Sequence, residues 1–209
     1  MKKLALVCGI AAVAAVTANA QETRHFSFSA GAGFTTPVWD AGSNLDMGWN
    51  VKASGGVNFN RYVGADLNVG YSSMGINSST LANLGFGGGN VNIFSATVDP
   101  VVHLNTRGRF DVYLTGGGGY YRYYQNFTQP SLAIGTGFNP FFGFYQFAAP
   151  TNVVVASYSL NKPGVDAGMG VAFGSKWGGK FFAEAKFNRI FVGRDLYFDY
   201  VPVTFGFRW

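Results

Sequence analysis

Residues 49–60 read WNVKASGGVNFN, and the stretch keeps a period of two from end to end. Trp49, Val51, Ala53, Gly55, Val57 and Phe59 fall on one face; Asn50, Lys52, Ser54, Gly56, Asn58 and Asn60 fall on the other. Alternation of this kind marks a strand with one apolar and one polar side. After a short connection at 61–62 the pattern returns in VGADLNVGYS (63–72). It recurs in HFSFSAGAGF (25–34), FSATVDPVVHL (94–104), FDVYLTGGGGYYRYY (110–124), VDAGMGVAF (165–173), KFFAEAKFN (180–188) and DYVPVTFGFRW (199–209). No sustained stripe of helical period appears.

These stretches predict eight strands, at 25–35, 48–60, 63–73, 91–104, 109–124, 162–174, 180–190 and 197–209. Connections at 61–62, 105–108 and 175–179 are short, those at 36–47, 74–90 and 125–161 are long, and 191–196 is intermediate. Short turns on one side and longer loops on the other fit an antiparallel, up-and-down transmembrane β-barrel, with both chain ends on the short-turn side. The segment 139–160 leaves a choice. It is either a hairpin rising above the membrane or two further spanning strands, giving ten; eight is the preferred count. Pro100 and Pro202 fall inside predicted strands, where each removes a ladder hydrogen bond, and are expected at a bulge or near a strand end.

Composition says which side meets lipid. Of 209 residues, 12% are charged and 17% aromatic, with 30 Gly; an ordinary soluble domain is about 25% charged. The polar faces carry mainly Gly, Ser, Asn and Thr, suited to a narrow interior and poorly suited to a solvated exterior. The apolar faces carry Phe26, Trp49, Phe59, Tyr71, Phe110, Tyr120, Phe181, Phe187 and Trp209 towards the strand ends, where rings sit at the headgroup level. A closed sheet satisfies every backbone group inside lipid. The expected location is therefore the bacterial outer membrane.

Residues 1–20 form a separate object. A basic start (Lys2, Lys3), an apolar run and the small residues Ala18 and Ala20 predict a signal peptide cut before Gln21, leaving 21–209 as one barrel domain. Cys8, the single cysteine, leaves with it, so thiol chemistry and disulfides are not expected. Removing two lysines leaves 13 basic against 10 acidic residues, scattered, which gives no sign of nucleic-acid binding.

The Gly-rich strand running into tyrosines, FDVYLTGGGGYYRYY, and the terminal YVPVTFGFRW resemble the small outer-membrane β-barrel family, akin to the transmembrane barrel of outer-membrane protein A and the opacity-type surface proteins. The resemblance implies that Val201, Val203, Phe205, Phe207 and Trp209 act as a C-terminal assembly signal for the barrel-insertion machinery. Trp209 stands where the family usually ends in Phe.

Lys52, Asp66, Asp99, Asp111, Asp166, Glu184, Lys186 and Arg208 share the predicted interior. They form either a structural salt-bridge plug or a gated polar pore. His25 and His103 are the only histidines. Both fall at the periplasmic end, which suits neither a metal site nor lipid-modifying chemistry at the outer leaflet. No cofactor and no catalytic residue is expected. The segment 125–161 holds no charged residue but carries Phe138, Phe141, Phe142, Phe144, Tyr145 and Phe147. These rings either fold over the mouth or offer an interaction surface to an extracellular ligand or surface partner. The expected role is a non-enzymatic barrel acting in envelope structure or surface interaction through its loops. The alternatives are a narrow channel and, more weakly, a lipid-modifying enzyme.

Overall fold

The structure, a computed structural model, describes residues 25–104, 110–174 and 179–209. The signal segment with Ala18, Ala20 and Gln21, the turn at 105–108 and most of that at 175–179 lie outside the described residues. The strands are β1 (His25–Pro37), β2 (Gly48–Asn58), β3 (Val63–Gly75), β4 (Gly88–His103), β5 (Phe110–Asn139), β6 (Gly143–Gly174), β7 (Lys180–Gly193) and β8 (Leu196–Arg208). A short helix, α1 (Ser78–Leu84), lies between β3 and β4.

Each strand pairs antiparallel with its chain neighbours, and β8 pairs with β1 to close the barrel. Following partners from Phe28 through Gly55, Leu67, Val98, Gly118, Val165, Arg189 and Asp199 returns to β1 at Val38, ten residues further along. That stagger tilts the strands by roughly 40° and makes a lumen that side chains can fill. The ladder runs through the last residue: Trp209 and Phe28 exchange two backbone hydrogen bonds, both 2.9 Å. Val201, Val203, Phe205, Phe207 and Trp209 alternate with the inward Tyr200, Pro202, Thr204, Gly206 and Arg208, and so face outward.

The strand count is the preferred eight. Two expectations need correction. Residues 125–161, expected as a long connection, are the continuation of β5 and β6 joined by a tip at 140–142, so of the two choices left for this segment the hairpin holds. Neither internal proline sits at a bulge. Register is unchanged across Pro100 and Pro202, but pairing lapses on one side of each, towards β5 and towards β7 respectively. A missing N–H removes a rung without requiring an extra residue, so the strand stays in step.

The apolar faces meet the surroundings as expected, with Phe26, Trp49, Leu67, Val98, Phe173, Phe181 and Phe205 all exposed. One ion pair lies among them. Arg189 donates to both Asp199 carboxylate oxygens (2.8 and 3.1 Å), and its guanidinium sits within 5.6 Å of the Trp39, Phe187 and Tyr197 ring centres. The rings shelter the charge at the outer rim.

Candidate functional site

The lumen is layered. All eight charged residues expected inside point into it. Lys186 reaches Asp166 at 2.8 Å and also pairs with Asp99; Lys52 pairs with Glu184. Arg208 lies 3.7 Å from Asp66 near the periplasmic end. Asp111 meets His103 Nδ1 at 2.9 Å and Lys180 at 3.3 Å. Hydrogen bonds tie in the neutral side chains. Asn68 donates to Asp99 (2.6 Å), Thr204 to Asn50 (2.8 Å) and Tyr113 to Glu184 (2.9 Å). Burying ions is costly unless partners and hydrogen bonds surround them, which is the arrangement here. A void beside Lys52, Glu184 and Lys186 is about 40 Å³, room for water rather than a passage.

Sequence reasoning missed the apolar layers above and below the Lys52, Glu184 and Lys186 centre of this network. Below it, Val101, Tyr113, Ala172 and Phe182 form a buried cluster, with the Arg208 guanidinium 4.9 Å from the Tyr113 ring centre. Above it, Leu45, Met74, Ile76, Leu81, Val91, Ile93, Tyr121, Ile190 and Tyr200 form a larger one. Large rings fit because glycine faces them. A Cβ on Gly164 would stand 2.7 Å from the Tyr121 ring, and one on Gly206 would stand 2.7 Å from Phe182. The inward Tyr113, Tyr121 and Tyr200 were visible in the sequence as aromatics on the polar face; Gly164, Gly170 and Gly206 were the complementary signal.

Local sequence signals place a short helix at the mouth. Asn77 caps α1 by accepting from the Thr80 N–H (2.9 Å), and Gly85, in the left-handed region (φ 74°), ends it. The helix turns Leu81 into the upper cluster. Asn77 also donates to the Ser43 carbonyl (2.9 Å), tying the helix to the β1–β2 connection.

Beyond the mouth, β5 and β6 leave the barrel as a two-stranded arm. The last β4 partner of β5 is Thr128 opposite Gly88, and the last β7 partner of β6 is Gly164 opposite Ile190. From there the two strands pair only with each other, out to Asn139 opposite Gly143. The six aromatic residues expected in a loop stand on this arm. Phe138 and Phe144 pack together with ring centres 5.1 Å apart. Phe147 and Tyr145 lie across Gly135 and Gly137 on the opposite face. Phe141 and Phe142 occupy the tip, 88% and 85% exposed. The rings do not fold over the mouth.

A sequence model of the family described as "Outer membrane protein beta-barrel domain" matches residues 5–181. The chain belongs to this family. As an outer-membrane β-barrel it resides in the bacterial outer membrane. Two solved structures share the fold. One is Neisserial surface protein A, 14% identical, TM-score 0.56, over 90% of this chain and 98% of that one. The other is Ail, the attachment invasion locus protein of Yersinia pestis, in complex with the heparin analogue sucrose octasulfate. It is 21% identical, TM-score 0.50, over 90% of this chain and all of that one. No curated protein matches the chain. Among the described residues no cluster of three His, Cys, Asp or Glu is arranged to hold a metal.

Proposed function

We propose that this outer-membrane barrel is a non-enzymatic anchor that presents the β5–β6 arm to partners outside the cell. The observation that carries the reading is the arm itself: a paired ribbon, aromatic at its end, that makes no contribution to closing the barrel. The filled lumen supports it over a channel, because apolar clusters stand on both sides of the Lys52, Glu184 and Lys186 centre. His103, already bonded to Asp111 at the periplasmic end, is poorly placed for chemistry on the outer leaflet. The outward face of β8 is consistent with a role in assembly, and outer-membrane lipid and the barrel-assembly machinery are its expected partners.

A sulfated sugar of the kind bound to Ail would call for a basic surface, whereas residues 125–161 carry no charge. The arm's chemistry favours an apolar partner. Replacing 131–151 with Asn-Gly, a two-residue turn that closes the hairpin early, tests the reading. Cells displaying the shortened protein should lose adherence to host cells; undiminished adherence and ligand binding would remove the arm from the function.

A further inference from the structure

We infer that the arm's tip is a membrane-insertion device: its partner is the neutral lipid bilayer of an apposed cell. The inference rests on the surface-interaction reading above and names the surface.

Three observations lead there. First, the tip carries rings on every side, with uncharged Thr136, Asn139 and Gln146 between them. Phe138 and Phe144 stand on one face, Tyr145 and Phe147 on the other, and Phe141 and Phe142 at the end. A protein partner would engage one face; rings on both faces and the end match a medium that surrounds them. Second, no residue from 125 to 161 carries a charge, so no ion need be stripped of water when the tip enters lipid. Third, the arm runs eleven residues beyond its last rung with β4, roughly 35 Å along the strand, which gives it reach away from its own leaflet.

The tip is built to hold its phenylalanines out. Asn139 accepts from the Phe141 N–H at 2.8 Å, the Phe142 N–H reaches the Asn139 carbonyl at 3.3 Å, and Gly143 takes a φ of 79° that other residues rarely adopt. These bonds hold the turn's backbone, which presents the two rings outward. Insertion stops at the interface, because the unpaired edges of a two-stranded ribbon cannot be satisfied in hydrocarbon. Pairing of these edges with a second copy is the competing use. Pro130 on one edge, and Pro150 and Pro163 on the other, interrupt the donors such a copy would need.

The test uses the full chain folded in phosphatidylcholine nanodiscs, mixed with protein-free phosphatidylcholine vesicles and separated by flotation against empty nanodiscs. The wild type should float with the vesicles, equally well in high salt. The Phe141→Ser, Phe142→Ser double variant should lose capture by about tenfold or more, given the apolar area withdrawn. Phe141→Trp with Phe142→Trp should keep capture, since lipid accepts any large ring whereas a shaped pocket would not. Absence of flotation by the wild type, equal flotation by the serine variant, loss in the tryptophan variant, or capture only by anionic vesicles would each overturn the inference. Nanodisc pairing without vesicle capture would assign the arm to a second copy instead. Loss of adherence on shortening the arm, with no vesicle capture by the wild type, would sink the lipid inference alone and leave the surface-interaction reading standing.

Discussion

Asp66 and Asp99 are direct cross-strand partners on β3 and β4, both facing the lumen, yet each turns to a different cation. Asp66 looks towards Arg208 at the periplasmic end, and Asp99 pairs with Lys186 in the middle layer. Like charges opposite one another destabilise a sheet unless something separates them. Here the separation comes from strands that are distant in sequence, so the network ties β3 and β4 to β7 and β8 through the lumen.

Lys186 is the member with most to lose. It serves both Asp99 and Asp166, and all three are buried. Lys186→Met should destabilise the folded barrel by about 3–5 kcal/mol, because two carboxylates lose their cation. Adding Asp99→Asn should recover part of that loss. Urea unfolding from lipid vesicles, run as a double-mutant cycle, checks both values; additive effects would show that the pair is not coupled.

Gly170 tests the fit of rings to glycines. A Cβ there would run into the ring of Tyr113, which is fully buried and held by its bond to Glu184. Gly170→Ala should cost about 1–3 kcal/mol through overpacking. Pairing it with Tyr113→Phe should not relieve the clash, since the ring remains; Tyr113→Leu should relieve it in part. The same unfolding measurement reads the difference.

Conductance should be absent. The Lys52–Glu184 and Lys186 centre of the lumen lies between two apolar clusters, and the void beside it is about 40 Å³. Purified protein in planar bilayers should give no repeated discrete steps, and Lys186→Ala should give none either. Regular steps that shift with Lys186 would restore the channel reading.

Shortening the arm should leave the barrel untouched. Beyond Thr128 the two strands pair only with each other, and Leu132, Ile134, Phe138 and Phe144 are exposed. Replacement of 131–151 by Asn-Gly should change the unfolding free energy by less than about 1 kcal/mol, within the range of surface changes. A large loss would mean that the arm braces the mouth.

Period-two alternation in WNVKASGGVNFN and its repeats carried the strand positions, the count and the side that meets lipid, because a closed sheet with lipid outside forces every strand to show the same pattern. The inward placement of Lys52, Asp66, Asp99, Asp111, Asp166, Glu184, Lys186 and Arg208 was legible for the same reason. The partners of Asp111 were not. His103 precedes it by eight residues, but Lys180 lies 69 residues further along and only strand order brings it close. The arm was left open between a hairpin and two spanning strands because FFGFYQF does not alternate: Phe141 and Phe142 form the turn, and beyond it both faces of the ribbon carry rings.

The sequence by itself therefore determined the local facts: where the barrel strands run and which face of each meets hydrocarbon. Only the tertiary structure decided which charges pair, how Tyr113 and Tyr121 fill the hollows opposite glycines, and how far β5 and β6 stand clear of their neighbours. The physical reason is the stagger of the closed ring. A shift of ten residues around the barrel sets which depths coincide across the lumen, and no single strand holds that information.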